Sequence, residues 1–160
     1  MDTKLKVLEK INLLNTEFEC ININPEFADT KLFCEKYSYP MEKSCNTIIV
    51  ASKKEPKQFC ACVVIATTKL DVNKRVTKVM GVSKASFASV DEMKQLTGME
   101  VGGVTVFSLP DDLPIYVDER IMELDWIILG GGGRDTKFKT SPQVFHELKT
   151  SFIENLADEI

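Results

Sequence analysis

The chain has 160 residues and a formal net charge of −4. It is long enough to bury about two-thirds of its unfolded surface in one core, and too acidic overall to grip long nucleic acid by its phosphates. With 44% hydrophobic and 28% charged residues it is neither disordered nor fibrous, and its longest apolar run, residues 59–66, is far short of the ~20 residues of a membrane span.

The N-terminal MDTKLKVLEK alternates charge with apolar residues, so neither signal peptide nor anchor is read there. A cytoplasmic protein with no membrane partner is expected. Five cysteines, an odd number without paired CxxC spacing, fit reduced thiols. A single histidine, His146, is too few ligands for a zinc site, so no metal and no cofactor is expected.

In chain order, Leu5, Leu8, Ile11 and Leu14 recur at three-residue steps and predict a helix over residues 3–14 with that stripe inward. Residues 17–24, closed by Pro25, read as a strand, and residues 29–37 as a helix ending before Tyr39-Pro40. CNTIIVA (45–51) and QFCACVVIAT (58–67) are β-branched and apolar around a polar segment holding Pro56, which predicts a hairpin with its second strand central. Asp71 stands at a helix N-cap and Gly81 at the C-terminal stop, while Ser89 and Glu92 form an S-x-x-E capping box for a helix ending at Gly98. Residues 113–118 read as a strand entered through Pro114 and 119–123 as a helical turn. Strands at 126–129 and 137–139 flank a glycine-rich turn, and Ser141-Pro142 predicts a helix running to Leu156. The fold class expected is α/β or α+β, one domain over residues 1–160 with a mixed sheet and helices outside.

Residues 96–118, LTGMEVGGVTVFSLPDDLPIYVD, join a helix end, a paired-glycine loop and a buried strand. Bare backbone at Gly102 and Gly103 suits either a tight turn or close approach of N–H donors to an oxyanion. A second cluster, the glycines at 130–133, ends another apolar strand, and two glycine loops at strand ends suggest a pocket. Asn46 opens its strand as a turn residue or as a pocket group. Asp118 is an N-cap or a pocket carboxylate. Arg134 is a solvated loop arginine or a planar fork for phosphate. Lys69, Lys74, Arg75 and Lys78 form a solvated face that doubles as the best candidate RNA contact. Cys45 lacks an activating base nearby in sequence, which argues against a thiol nucleophile.

The segments FCEKYSYPMEKSCNTIIV, VGGVTVFSLPDDLPIYVDE and WIILGGGGRDTKFKTSP, in this order and spacing, resemble the YbaK/prolyl-tRNA synthetase-associated family of aminoacyl-tRNA editing domains, over nearly the whole chain. The resemblance implies a compact domain with a mixed, barrel-like sheet surrounded by helices, which hydrolyses amino acids wrongly attached to tRNA without metal or cofactor. Its pocket would lie between the glycine loop and the strand beginning NTIIV. The implied partners are the 3′ end of an aminoacyl-tRNA and, as an open second, an aminoacyl-tRNA synthetase. By that likeness Gly102, Gly103 and Asp118 are the catalytic candidates, and Asn46, Thr47, Thr105, Gly131, Gly132 and Arg134 would bind substrate. Two positions depart from the family pattern: Asn46 stands where lysine is usual, and Val106 where the glycine loop commonly has proline. The first change removes a cation, so a binding module without turnover stands beside the deacylase as the alternative reading.

Overall fold

A computed structural model describes residues 2–160. Helix α1 (Thr3–Asn12) is capped by Asp2, whose carboxylate accepts from the Lys4 N–H. Its inward face matches the predicted stripe only in part: Ile11 is fully buried together with Val7, which lies outside the stripe, whereas Leu5 is 54% exposed. Steps of three each rotate about 60° off a helical face, so a stripe built on them drifts to solvent, and the i, i+4 pair holds the core. Strand β1 (Phe18–Asn22) and helix α2 (Thr30–Tyr37) follow, and α2 ends at Ser38 in the left-handed region.

The predicted hairpin is present as β2 (Cys45–Ser52) and β3 (Phe59–Ile65), paired antiparallel from Cys45↔Ile65 to Ala51↔Phe59. Next come β4 (Thr68–Leu70), a π-helical turn at Val72–Val76 that runs into α3 (Thr77–Met80), β5 (Ala85–Phe87) and α4 (Val90–Thr97). The caps are those expected: Asp71 accepts from Lys74 N–H, Ser89 and Glu92 close a reciprocal capping box, and Gly81 and Gly98 end their helices with positive φ.

The remainder is β6 (Ile115–Asp118), a 3₁₀ turn at Glu119–Glu123, β7 (Ile127–Gly130), β8 (Thr136–Thr140), α5 (Val144–Glu147), β9 (Ser151–Ile153) and β10 (Ala157–Glu159). The helix predicted to reach Leu156 therefore stops after one turn. Leu148 is extended at φ −106° and ψ 158°, and Glu147 turns back to accept from the N–H groups of Asn15 and Thr16. The segment beyond is claimed by sheet edges, β9 lying parallel to β6 and β10 antiparallel to β4.

Three sheets result: β5-β2-β3-β6-β9, mixed in direction, and the smaller β1-β8-β7 and β10-β4. A parallel bridge from Ser44 to Ile128 ties the first to the second, giving a mixed α/β architecture without a closed barrel. Strand β3 lies at the centre, as expected, with apolar clusters on both faces: Val63 and Ile65 meet Val117, Phe107 and Leu129 on one side, and Cys60, Cys62 and Val64 meet Leu70 and Leu156 on the other. Covering on both faces is why its sequence shows no apolar–polar alternation. All five cysteines are free thiols. No helix among the described residues is long and apolar enough to cross a membrane.

Candidate active site

Strand β2 carries the site because one of its edges is only partly covered. In its pairing with β3 the even-numbered residues exchange peptide hydrogen bonds, as at Ser44 C=O with Ala66 N–H and Ser52 N–H with Gln58 C=O. The odd-numbered peptide groups then face the other edge. That edge meets β7 at Ser44, through the bridge to Ile128, and β5 from Val50 onward, and Ile49 C=O accepts from Ala88 N–H. Between these two attachments Thr47 faces a gap.

The gap is the mouth of a cavity of about 450 Å³, within the range of small-ligand sites. The start of α2 supplies Asp29 and Thr30, β2 supplies residues 45–49, and Val101, Gly102 and Val104 close it from the glycine loop. Phe87, Ala88, Val90 and Met93 make an apolar wall, and Gly130 and Lys137 form the opposite side. Phe87 and Val90 are more than half exposed at the rim.

Three polar groups converge here. The Thr30 hydroxyl donates to Asn46 Oδ1 at 2.6 Å, which ties α2 to the start of β2. Thr47 Oγ1 is buried and has no hydrogen-bond partner among the described residues; a buried hydroxyl left in that state costs free energy until something pairs with it. Lys137 is only 5% exposed, with Nζ donating to Gly102 C=O at 2.9 Å and standing 5.5 Å from the centre of the Phe33 ring. Burial pulls the Lys137 amine down to about 8, with Cys34 and Asp29 opposing that shift and Arg134 adding to it. Sequence reasoning missed this residue. The available signal was register: β8 places Lys137 opposite Gly130, where β7 ends at the glycine turn.

The two glycine loops are held to each other through their backbones. Gly103 N–H donates to Glu100 C=O, Gly132 N–H to Gly103 C=O at 2.6 Å, and Glu100 N–H to Gly132 C=O at 3.2 Å, so the loops clasp each other. A side chain at Gly103 would collide with the Gly133 backbone, and one at Gly130 would come within 2.6 Å of Val104 C=O. Gly103 packs against the Gly133 backbone, Gly131 against Thr136 and Gly132 against the Val7 side chain, and Gly102 alone of the four lines the cavity, at φ +85°.

Asn46, Thr47 and Gly102 are brought together at the cavity, and the other predicted site residues lie outside its lining. Asp118 is 1% exposed and accepts from Arg120 N–H and from Ala157 N–H, so it caps the turn after β6 and anchors β10. Its capping reading is the one that fits. Arg134 donates to Val101 C=O at 2.6 Å and to Pro25 C=O at 3.0 Å, bracing the loop instead of presenting a free fork. Thr105 is fully buried, with its N–H toward Met99 Sδ. Cys45 lines the cavity, but burial drives its thiol far above the ordinary range, which leaves no thiolate to attack a substrate.

Comparison with known proteins covers this same architecture. A protein solved as a candidate trans-editing enzyme for prolyl tRNA synthetase superposes with a TM-score of 0.81 at 16% identity, over 100% of this chain and 99% of that one. The hypothetical protein APE2540 superposes with a TM-score of 0.75 at 21% identity, over 90% and 92%. At those identities the likeness is one of fold. The uncharacterized protein YwhH of Bacillus subtilis (strain 168) is 27% identical over 126 residues, 73% of this chain and 79% of that protein. The profile of the aminoacyl-tRNA editing domain matches residues 24–148, a span containing β2, both glycine loops and Lys137, and the chain belongs to that family.

Proposed function

We propose that the protein is an aminoacyl-tRNA deacylase acting in trans in the cytoplasm, removing a wrongly attached amino acid from the 3′ end of a tRNA. The observation that carries this reading is the cavity at the uncovered edge of β2. There the unpartnered Thr47 hydroxyl, the Asn46–Thr30 pair and Gly102 face one another within an editing-domain family member. The apolar wall of Ile48, Ile49, Val90 and Met93 suits an aliphatic aminoacyl side chain, and Phe87 at the rim offers a flat face to the terminal base. A water oxygen adds to the ester carbonyl carbon, the bond to the ribose oxygen breaks, and the proton from water ends on that oxygen. Thr47 and the Gly102 backbone are placed to hold the reacting group, a type of contribution in which one fixed donor is worth ~3 kcal/mol.

The second reading is a binding module for aminoacyl-tRNA ends or for a synthetase. It is favoured by Asn46, which carries no charge and whose Oδ1 is already engaged by Thr30. Deacylation assayed over a panel of mischarged tRNAs separates the two. Release above the spontaneous rate for at least one is expected, and none for any would leave only the binding reading.

A further inference from the structure

We propose that Lys137 is a substrate-contacting residue of this cavity, its ammonium donating to the ester carbonyl oxygen of the bound aminoacyl group. The inference rests on the deacylase reading and extends it to a residue on β8, a strand from which no site residue was expected.

Lys137 is the one cation in the cavity lining among the described residues. An ammonium has three donors, and its one hydrogen bond to a described group is to Gly102 C=O. The Phe33 ring lies on another side, so the remaining donors have the cavity to serve. A lysine so buried is a burden on the fold unless a ligand uses it, and its neighbours do not neutralise it: Asp29 pairs with Arg134 at 3.7 Å and is itself at the cavity mouth. Depth decides which part of the ligand it meets. The phosphates of a tRNA end remain hydrated at the rim, whereas the acyl group must enter, and its carbonyl is the acceptor that reaches the Gly102–Lys137 side. The cation that Asn46 does not supply from β2 thus comes from across the cavity.

The test uses the purified full chain with two probes: adenosine bearing a 3′-amide-linked amino acid, a non-hydrolysable analogue of the ester, and AMP, which has the phosphate but no acyl group. The amino acid is taken from whichever mischarged tRNA the wild type deacylates, or from the full panel if it deacylates none. Lys137→Met is expected to weaken the amide probe at least tenfold, the scale of a charge-assisted contact, and to leave AMP within twofold. Lys137→Gln serves as a second variant, and native folding of each is checked by circular dichroism. A structural role would not move the pH profile: wild-type affinity for the amide probe should fall relative to Lys137→Met as pH rises through about 8, where the amine faced by Asp29, Cys34 and Arg134 loses its proton. Using the variant as reference cancels titration of the α-amino group of the probe. Equal binding of the amide probe by wild type and both variants, equal loss of both probes, or superimposable pH profiles would each overturn the assignment to Lys137. If the wild type binds the probe in this way yet deacylates no tRNA, the deacylase reading fails and the contact stands; if it deacylates a tRNA but binds no probe, the assignment to Lys137 fails and the deacylase reading stands; if it does neither, both fail.

Discussion

Gly132 donates its N–H to the carbonyl of Gly103 at 2.6 Å, joining loops that are 29 residues apart in the chain. The loops come this close because Gly103 has no side chain, since an added Cβ there would meet the Gly133 backbone. Gly103→Ala forces a methyl group into the Gly133 peptide, and an overpacked site of this kind is expected to lose about 3 kcal/mol. Gly81→Ala provides the contrast: nothing lies within 4 Å, and only its φ of +73° opposes a side chain, for about 1 kcal/mol. Urea unfolding of the two variants checks the difference, and equal midpoints would show that the clasp yields easily.

Asp118 should behave as a structural carboxylate. Asp118→Asn puts an amide where Ala157 and Arg120 both present N–H donors, so a loss of about 2 kcal/mol in stability is expected from an impaired buried acceptor. Turnover measured well below the melting temperature should stay within twofold of wild type. A stable variant with tenfold lower turnover would return Asp118 to the chemistry.

The buried amine of Lys137 makes stability depend on pH. Its folded value of about 8 lies below the ordinary 10.5, so between those values the unfolded chain holds more proton than the folded one and stability rises with pH. Below pH 8 the full penalty applies, on the order of 3 kcal/mol from the size of that shift. Lys137→Met should therefore melt higher than wild type at pH 7, with the gap narrowing by pH 10. Thermal melts across that range check it, and a gap constant with pH would mean that the amine is well solvated.

Lys74 and Lys78 are exposed, on the π-helical turn and α3, and Arg75 between them is half-buried. Nearby, Lys53 and Lys69 line a second cavity that shares Phe87 with the first. If a tRNA end crosses this face, affinity must fall as salt rises, because released counterions drive the contact. Filter binding at 50 and 200 mM salt should give clearly weaker binding at the higher value, and replacing Lys74, Arg75 and Lys78 together by alanine should flatten that slope. Salt-indifferent affinity would confine those residues to a solvated face.

Much of the fold was legible in residues whose local chemistry has one outcome. The Ser89/Glu92 box, the glycine stops at 81 and 98, and the β-branched hairpin around Pro56 each satisfied its own backbone needs, and the structure contains them all. The C-terminal helix was not legible, because the Val144–Leu156 periodicity is compatible with a helix until β6 and β4 offer free edges, and those edges lie far away in sequence. The cavity was legible in part. Asn46 and Thr47 sit on a strand whose pattern is plain, but the glycine motifs look the same whether they face a ligand or another backbone. Lys137 was hidden for the same reason: TKFKT reads as an ordinary amphipathic strand until Gly130 is placed beside it.

The brace at Arg134 bears on the order in which the site can come into being. Its guanidinium joins carbonyls 33 and 109 residues back along the chain, while the cavity behind it draws on α2, β2, β7 and β8 together. Residues 29–104 supply most of the lining, and Gly130 and Lys137 complete it from β7 and β8. On the ribosome the lining is therefore complete only once β8 has emerged, the last element to reach the cavity.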